Sequence, residues 1–409
     1  MPGITKFFLD PLYRNSLFLM LNTGLVSLFN YVFWLLADNV TSSGQIGLAT
    51  AAIAAASMIV AIARLGMDYS ITRFFPQYRD KGGFYNALIA IMLLATIFVI
   101  AGFFLGMPYI SPALLFLKNG QYALLFIVFV FLTSVCNMQG TAFVAIRRAD
   151  LALLEYSILV LRIPLLIVIG SLGVLGIFLA LDITYLIMMA TGVVIMYKMH
   201  IARDLHIDID KARKTIKYSL GNYTATIIAT APLTLIPILI VNVAGASQQA
   251  YFYVAFSVAI FLFMVPDAIG ASMFVEGSHE QPLKTTAYKS LRFAFIILAP
   301  MVLAIAIFGD NILLLFSAEY SAAAYELLLL LAISSLFYAV IAVYISVVQV
   351  LKKMAMLNYI RLAFTGLTLG PGYVLLLKLG LIGIGYAWLL ANVIVAVIAG
   401  WMMLVKTKW

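Results

Sequence analysis

Leu172-Gly173-Val174-Leu175-Gly176-Ile177 recurs as Leu379-Gly380-Leu381-Ile382-Gly383-Ile384, at an offset of 207 residues. The first Leu, both glycines and the Ile coincide, and an alanine follows in each copy, Ala180 in the first and Ala387 in the second. Each copy stands between two apolar runs, 152–171 and 174–197 in the first, 359–377 and 381–404 in the second. A bilayer core about 30 Å thick needs about 20 apolar residues per helix. Each motif therefore reads as the turn of a tight transmembrane hairpin. One hairpin near the middle of the chain and one at its end predict a duplicated membrane protein.

Working outward, earlier positions repeat at smaller offsets. Gly106 and Tyr122 pair with Gly309 and Tyr325 at 203, and Asp68, Phe75 and Gln77 pair with Asp267, Phe274 and Glu276 at 199. An offset that grows along the chain is what small loop insertions produce. Apolar runs between charge clusters predict twelve spans, at 17–37, 46–65, 87–106, 122–144, 152–171, 174–197, 220–244, 250–274, 291–308, 327–349, 359–377 and 381–404. Composition agrees: of 409 residues, 65% are hydrophobic and 10% charged, against about a quarter charged in soluble domains. Mean hydropathy is +1.11. The expected fold is an all-α polytopic membrane protein with a six-helix lobe at 1–200, a cytoplasmic linker at 201–217 and a second six-helix lobe at 218–409. Six spans per repeat make both copies enter the membrane in one direction, related by a pseudo-two-fold axis along its normal. Duplicated lobes of this kind are the usual architecture of alternating-access transporters.

The net charge of +9 reflects topology rather than nucleic-acid binding. With the N-terminus inside, 22 of the 25 Lys and Arg residues fall in segments on the inner side. Lys118 and Lys378 stand outside and Arg162 lies in a span. Short cytoplasmic loops carry such an excess, so both termini are expected in the cytoplasm. The N-terminus lacks the pattern of a cleavable signal peptide.

Other chemistry finds little support. The single Cys136 cannot form an intramolecular disulfide. No GxxxxGK phosphate loop is present. The histidines His200, His206 and His279 lie in loops, and the spacing of His200 and His206 with Asp204, Asp208 and Asp210 matches no metal-ligand pattern. Outer loops are too short for a large extracellular catalytic loop. No enzyme activity, metal or cofactor is expected.

Charges at membrane depth are functional candidates by default. Arg162 in the fifth span and Asp182 in the sixth each lie ten residues from Leu172, about 15 Å at 1.5 Å per residue. The two should share one depth near the midplane, on adjacent antiparallel helices. Either they neutralise each other and lock the hairpin, or Arg162 faces a cavity and meets a phosphate while Asp182 tunes or gates it. Their counterparts in the second repeat are Leu369 and Leu389. Thr23, Ser27, Asn30 and Trp34 make a polar-aromatic stripe on the first span, and Thr133, Asn137 and Thr141 one on the fourth. These stripes either line a cavity or bond between helices. Pro232 and Pro237 predict a kink in the seventh span. Asp267, after Pro266, either snorkels to the interface or binds a coupling ion.

The segment Arg64-Leu-Gly-Met-Asp-Tyr-Ser-Ile-Thr-Arg-Phe-Phe-Pro76 is similar to a "glycine, small and apolar residues, Arg-Phe, Pro" stretch of a known family. Phe308-Gly309, Phe316-Ser-Ala-Glu-Tyr320 and the Leu-Gly-x-x-Gly-Ile hairpins point the same way. Along nearly its whole length the chain resembles the multidrug/oligosaccharidyl-lipid/polysaccharide (MOP) exporter superfamily, and more narrowly the Wzx-type polysaccharide flippases. The resemblance implies a V-shaped pair of lobes around a central cavity in the plasma (inner) membrane. It also implies a cargo, a polyprenyl-pyrophosphate-linked oligosaccharide moved from the cytoplasmic to the outer leaflet, with an H⁺ or Na⁺ gradient as drive and polysaccharide-assembly proteins as partners. The pyrophosphate would meet Arg162, the sugars the Asn, Thr, Tyr and Trp groups, and the polyprenyl tail the bilayer. Two alternatives stand beside this. One is a multidrug/cation antiporter of the same superfamily, exchanging ions at Asp182 or Asp267. The other is a non-transporting membrane scaffold of polysaccharide assembly.

Overall fold

A computed structural model describes residues 11–201, 206–277, 283–351 and 353–405. Among them are fourteen α-helices, three short 3₁₀ segments and no strand. In the first half run α1 (Pro11–Val40), α2 (Ser43–Ala63), the short α3 (Met67–Phe74), α4 (Lys81–Ile110) and α5 (Gly120–Ala145). After them come α6 (Ala149–Ser157), α7 (Arg162–Ile169) and α8 (Val174–Lys198). The second half holds α9 (Ile209–Val243), α10 (Ala246–Gly277), α11 (Leu283–Leu314), α12 (Ala318–Val350), α13 (Met354–Leu379) and α14 (Leu381–Val405). Eleven helical segments among the described residues are long and apolar enough to cross a membrane. The first expected span, 17–37, lies inside α1.

The chain divides into two compact units, 1–227 and 228–409. The division falls inside α9 rather than in the expected linker at 201–217. Most of that linker's second half is helical, because α9 starts at Ile209 and its first turns pack on α3. Tyr69 Oη and Thr226 Oγ1 are 2.7 Å apart, Ser70 Oγ donates to the Thr215 carbonyl at 3.3 Å, and Tyr223 Oη donates to the Ile62 carbonyl at 2.6 Å. The Arg73 guanidinium lies 4.7 Å from the Tyr218 ring centroid. Gly66, at φ +71°, brings α3 so close to α9 that a Cβ there would stand 2.5 Å from the Ser219 carbonyl oxygen. The motif 64–76 is thus the clasp that ties the start of α9 to the first unit.

Both units turn large apolar side chains outward. Phe98 on α4 is 68% exposed and Leu105 78%, while on α11 Leu303 is 61% exposed. A water-facing surface does not carry such continuous apolar patches, so these helices face lipid. Inside the first unit, α2 is mostly enclosed, with Ala49, Ala51, Ala52, Ala55 and Ala56 all buried. Small residues of this kind let membrane helices approach closely. One core gathers around Phe75, Phe84, Met92 and Phe143 in the same unit, and another around Ile341, Tyr344, Val347 and Val395 in the second.

The two Leu-Gly-x-x-Gly-Ile motifs fold alike. Gly173 (φ 65°, ψ −134°) and Gly380 (φ 67°, ψ −149°) both take a conformation that side-chain-bearing residues avoid. Three residues on, a Cβ at Gly176 would run into the Ile169 carbonyl, and one at Gly383 into the Leu375 carbonyl. Ile177, Ala180, Ile384 and Ala387 are buried. Each motif needs its first glycine for the turn and its second for the close return of the following helix.

The fifth span is not one regular helix. A 3₁₀ segment, Ile158–Leu161, separates α6 from α7 immediately before Arg162. Pro164 has no N–H to offer the Val160 carbonyl four residues back, and its ring crowds that turn. The helix tightens there instead of running on.

Candidate functional site

Arg162 opens α7 and is only 6% exposed. Its guanidinium carbon lies 5.1 Å from the ring centroid of Phe33 on α1, within cation–π range. Phe33 meets Trp34 edge to face at 5.1 Å, and Trp34 Nε1 donates to Asn30 Oδ1 at 3.3 Å. The first-span stripe therefore divides. Its C-terminal end, Asn30 and Trp34, joins the aromatic wall beside Arg162, whereas Thr23 is exposed and Ser27 half-buried.

Asp182 on α8 is also 6% exposed, but neither of its carboxylate oxygens has a hydrogen-bond partner. Among the described residues no ion pair joins it to Arg162. The hairpin is not locked by that pair. Sequence spacing predicts the two residues level in depth; packing sets the direction in which each side chain leaves its helix, and Arg162 is turned toward α1.

A third buried charged residue of the same unit was not singled out from sequence. Glu155 on α6 is fully buried, and neither carboxylate oxygen has a hydrogen-bond partner. It sits near the start of the fifth apolar run, where a carboxylate reads as a rim residue. The available signal was its seven-residue spacing from Arg162, two turns of helix and thus one face. Asn22, one residue before the stripe, was missed as well. Its Oδ1 is buried with no donor in reach, and with Asn137, Thr141 and Tyr156 it lines a cavity of about 240 Å³ between α1, α5 and α6. Asn137 is thereby a cavity residue. Its Nδ2 donates to the Thr133 carbonyl and Thr141 Oγ1 to the Asn137 carbonyl, both at 2.8 Å, so this stripe first satisfies itself within its own helix.

Among the described residues, the second unit has no such charged interior. Trp388 packs against Phe256, Phe263 and Phe364, with centroids 5.5, 6.2 and 5.6 Å away. Pro232 and Pro237 are buried in α9, whose backbone remains helical through both. Asp267 is exposed on α10 and accepts a hydrogen bond from Tyr338 Oη at 2.8 Å.

Outside the spans, Asp80, His206 and Asp208 bring ligand-type atoms within 4.8 Å of one another. Lys211 already occupies that space, with Nζ 2.8 Å from Asp208 and 3.1 Å from Asp80. The ammonium serves as the cation of this cluster. It reinforces a junction between loops.

No family model matches the chain, and no curated protein matches it in sequence. Solved structures match it in fold. The lipid II flippase MurJ in an inward closed conformation aligns over 96% of this chain and 87% of its own, with a TM-score of 0.80 and 10% identity. An inward-facing multidrug resistance MATE family transporter of the MOP superfamily aligns over 92% and 94%, with a TM-score of 0.68 and 17% identity. A MOP superfamily transporter from Pyrococcus furiosus aligns over 97% and 95%, with a TM-score of 0.59 and 15% identity. The chain has the fold of the MOP superfamily, as its motifs implied.

Proposed function

We propose that this protein is an alternating-access transporter that flips a polyprenyl-pyrophosphate-linked oligosaccharide from the cytoplasmic to the outer leaflet of the plasma membrane. The observation that carries the proposal is the buried Arg162 guanidinium, held over Phe33 inside a membrane lobe. A cation at that depth is expensive, and a diphosphate headgroup is the partner best suited to a planar guanidinium fork. The fold is one that a lipid II flippase and multidrug MATE transporters share, so it can accommodate this class of cargo. Trp34, Asn30, Asn22 and Asn137 supply the aromatic face and amide groups that sugars bind. Thr23 and Ser27 continue that surface toward the start of α1. The polyprenyl tail remains in lipid. Pro232 and Pro237 are the candidate gate in α9, where each removes an intrahelical hydrogen bond.

Glu155 and Asp182 are the candidates for coupling to an H⁺ or Na⁺ gradient, with Asp267 the candidate in the second unit. Burying a carboxylate without a hydrogen-bond partner costs several kcal/mol, so Glu155 and Asp182 are natural places for a proton or a small cation to bind. The same two carboxyls favour a second reading, a cation antiporter of the superfamily. In the first reading other polysaccharide-assembly proteins would be partners, supplying the lipid-linked substrate or consuming it. A scaffold role without transport would leave the buried charges as struts.

The test is leaflet accessibility in proteoliposomes. A polyprenyl-pyrophosphate oligosaccharide is loaded, and a membrane-impermeant lectin or hydrolase reports how much becomes reachable over time. Protein-dependent exposure that disappears in Arg162→Ala is expected. Exposure no faster than in empty liposomes, under every imposed H⁺ and Na⁺ gradient, would reject the flippase, and efflux of organic cations would then test the antiporter.

A further inference from the structure

The basic end of the first unit holds a recess of about 640 Å³, larger than the cavity near Asn137 and separate from Arg162. It forms where three connections meet: the segment entering α4, the turn between α5 and α6, and the segment leaving α8. Its wall carries Arg79, Lys81, Arg148, His200 and His206, with the Gly82 and Gly83 backbone between them. We propose that this recess is a binding site for a phosphate-bearing anion at the membrane surface, either the headgroup of an anionic lipid or a free diphosphate.

The recess is a built feature. The Asp208 N–H donates to the Gly83 carbonyl at 3.0 Å, and Asn86 Nδ2 donates to the His206 carbonyl at 3.1 Å. Gly83 is packed so tightly between the loops that a Cβ would stand 2.6 Å from Asp80 Oδ2 and 2.9 Å from His206 Cδ2. His200 (φ 59°), one of three non-glycine residues with positive φ among the described residues, stands in its wall, and Arg147 (61°) sits between the lining residues Ile146 and Arg148. A fixed enclosure of this kind is more than a topology signal requires. Lysines and arginines that only set orientation need no enclosing wall.

The charge that remains available is positive. Among the described residues, the carboxylates at the recess are already engaged: Asp80 with the Gly83 N–H and Lys211, Asp208 with Lys211, and Asp150 with Arg148 through contacts of 2.8, 2.9 and 3.1 Å. Arg79 and Lys81 make no ion pair among the described residues. Guanidinium, ammonium and imidazole donors converging on one recess fit the several acceptor oxygens of a phosphate. The volume lies within the roughly 300–1,000 Å³ of small-molecule sites, enough for a diphosphate or a glycerophosphate headgroup. A nucleic-acid duplex is far too wide for it.

The experiment uses the full-length protein in phosphatidylcholine nanodiscs. Inorganic pyrophosphate is titrated by calorimetry, and retention of phosphatidylglycerol over phosphatidylcholine is read by native mass spectrometry. Saturable binding of at least one probe is expected, weakened about tenfold or more by Arg79→Gln with Lys81→Gln. Lys118→Gln, at the other end of the unit, should leave it unchanged. The charge-keeping pair Arg79→Lys with Lys81→Arg should restore most of the binding, which separates lost charge from lost fold. Lipid retention that pyrophosphate does not displace assigns the site to a headgroup; pyrophosphate binding without lipid enrichment assigns it to a free anion; mutual competition assigns it to both. No saturable binding of either probe, or binding that the double glutamine variant does not weaken, overturns the proposal. The readout is binding, so either result leaves the transport reading of Arg162 standing.

Discussion

At the residue scale, the arrangement around Arg162 makes a guanidinium more than a point charge, because Phe33 stacks beneath it. Arg162→Ala should reduce flipping to the protein-free background while leaving protein yield normal. Arg162→Lys keeps the charge but loses the planar fork and the stack, so an intermediate rate is expected. Equal rates in the lysine variant and the wild type would reduce the residue's role to charge alone. Glu155→Gln and Asp182→Asn preserve shape and remove a titratable group from a buried, undonated position. Downhill flipping should persist in both, and acceleration by an imposed H⁺ or Na⁺ gradient should disappear in at least one. Full gradient response in both would move the coupling site to Asp267. Arg162 and Asp182 were legible in the sequence because charges are rare inside spans. Glu155 was not, since the edge of an apolar run does not reveal how deep a side chain is packed.

At the scale of elements, two glycine hairpins and one loop junction carry the clearest tests. Gly176→Ala or Gly383→Ala would drive a methyl group into a backbone carbonyl that cannot rotate away. Each should destabilise its own unit by about 1–3 kcal/mol, seen as a lower melting temperature in detergent. A melting temperature unchanged in both would show that the helices have room to separate. At the junction, the Gly83 N–H and then Lys211 hold the Asp80 carboxyl below its usual range, and Lys211 does the same for Asp208. Asp208 and Asp80 in turn hold Lys211 above its usual value. Lowered carboxyls add stability above their unfolded value, lost as pH falls through the folded one; the raised ammonium adds stability lost as pH rises through its folded value. The junction should therefore hold between about pH 4 and about pH 10. Lys211→Met should speed amide exchange severalfold in 80–86 and 206–212 at neutral pH, with the membrane helices unaffected. Unaltered exchange there would mean that the backbone contacts suffice. The hairpin was legible because its glycines repeat, whereas the junction pairs residues 120 to 131 positions apart and leaves no local pattern.

At the scale of the whole molecule, orientation is the property most open to measurement. Cys136 is 1% exposed, so a Cys136→Ser background should be well tolerated and free of native thiol. In intact cells an impermeant thiol reagent should label Lys118→Cys and Lys378→Cys, and Arg79→Cys only after permeabilisation. The reverse pattern would invert the topology and move the basic recess to the outer surface. The amino-acid sequence by itself determined the membrane class, the approximate spans and the duplicated hairpins, because apolar length and turn glycines act locally. It also marked Arg162 and Asp182 as charges inside the spans of the first half, and both are buried. Tertiary structure alone decided that they form no ion pair, that Pro164 breaks the span before Arg162, and that the clasp at 64–76 moves the unit boundary into α9. The physical reason is that spacing along a helix determines depth, while the direction a side chain faces, and the partner it finds there, depend on how other helices pack around it.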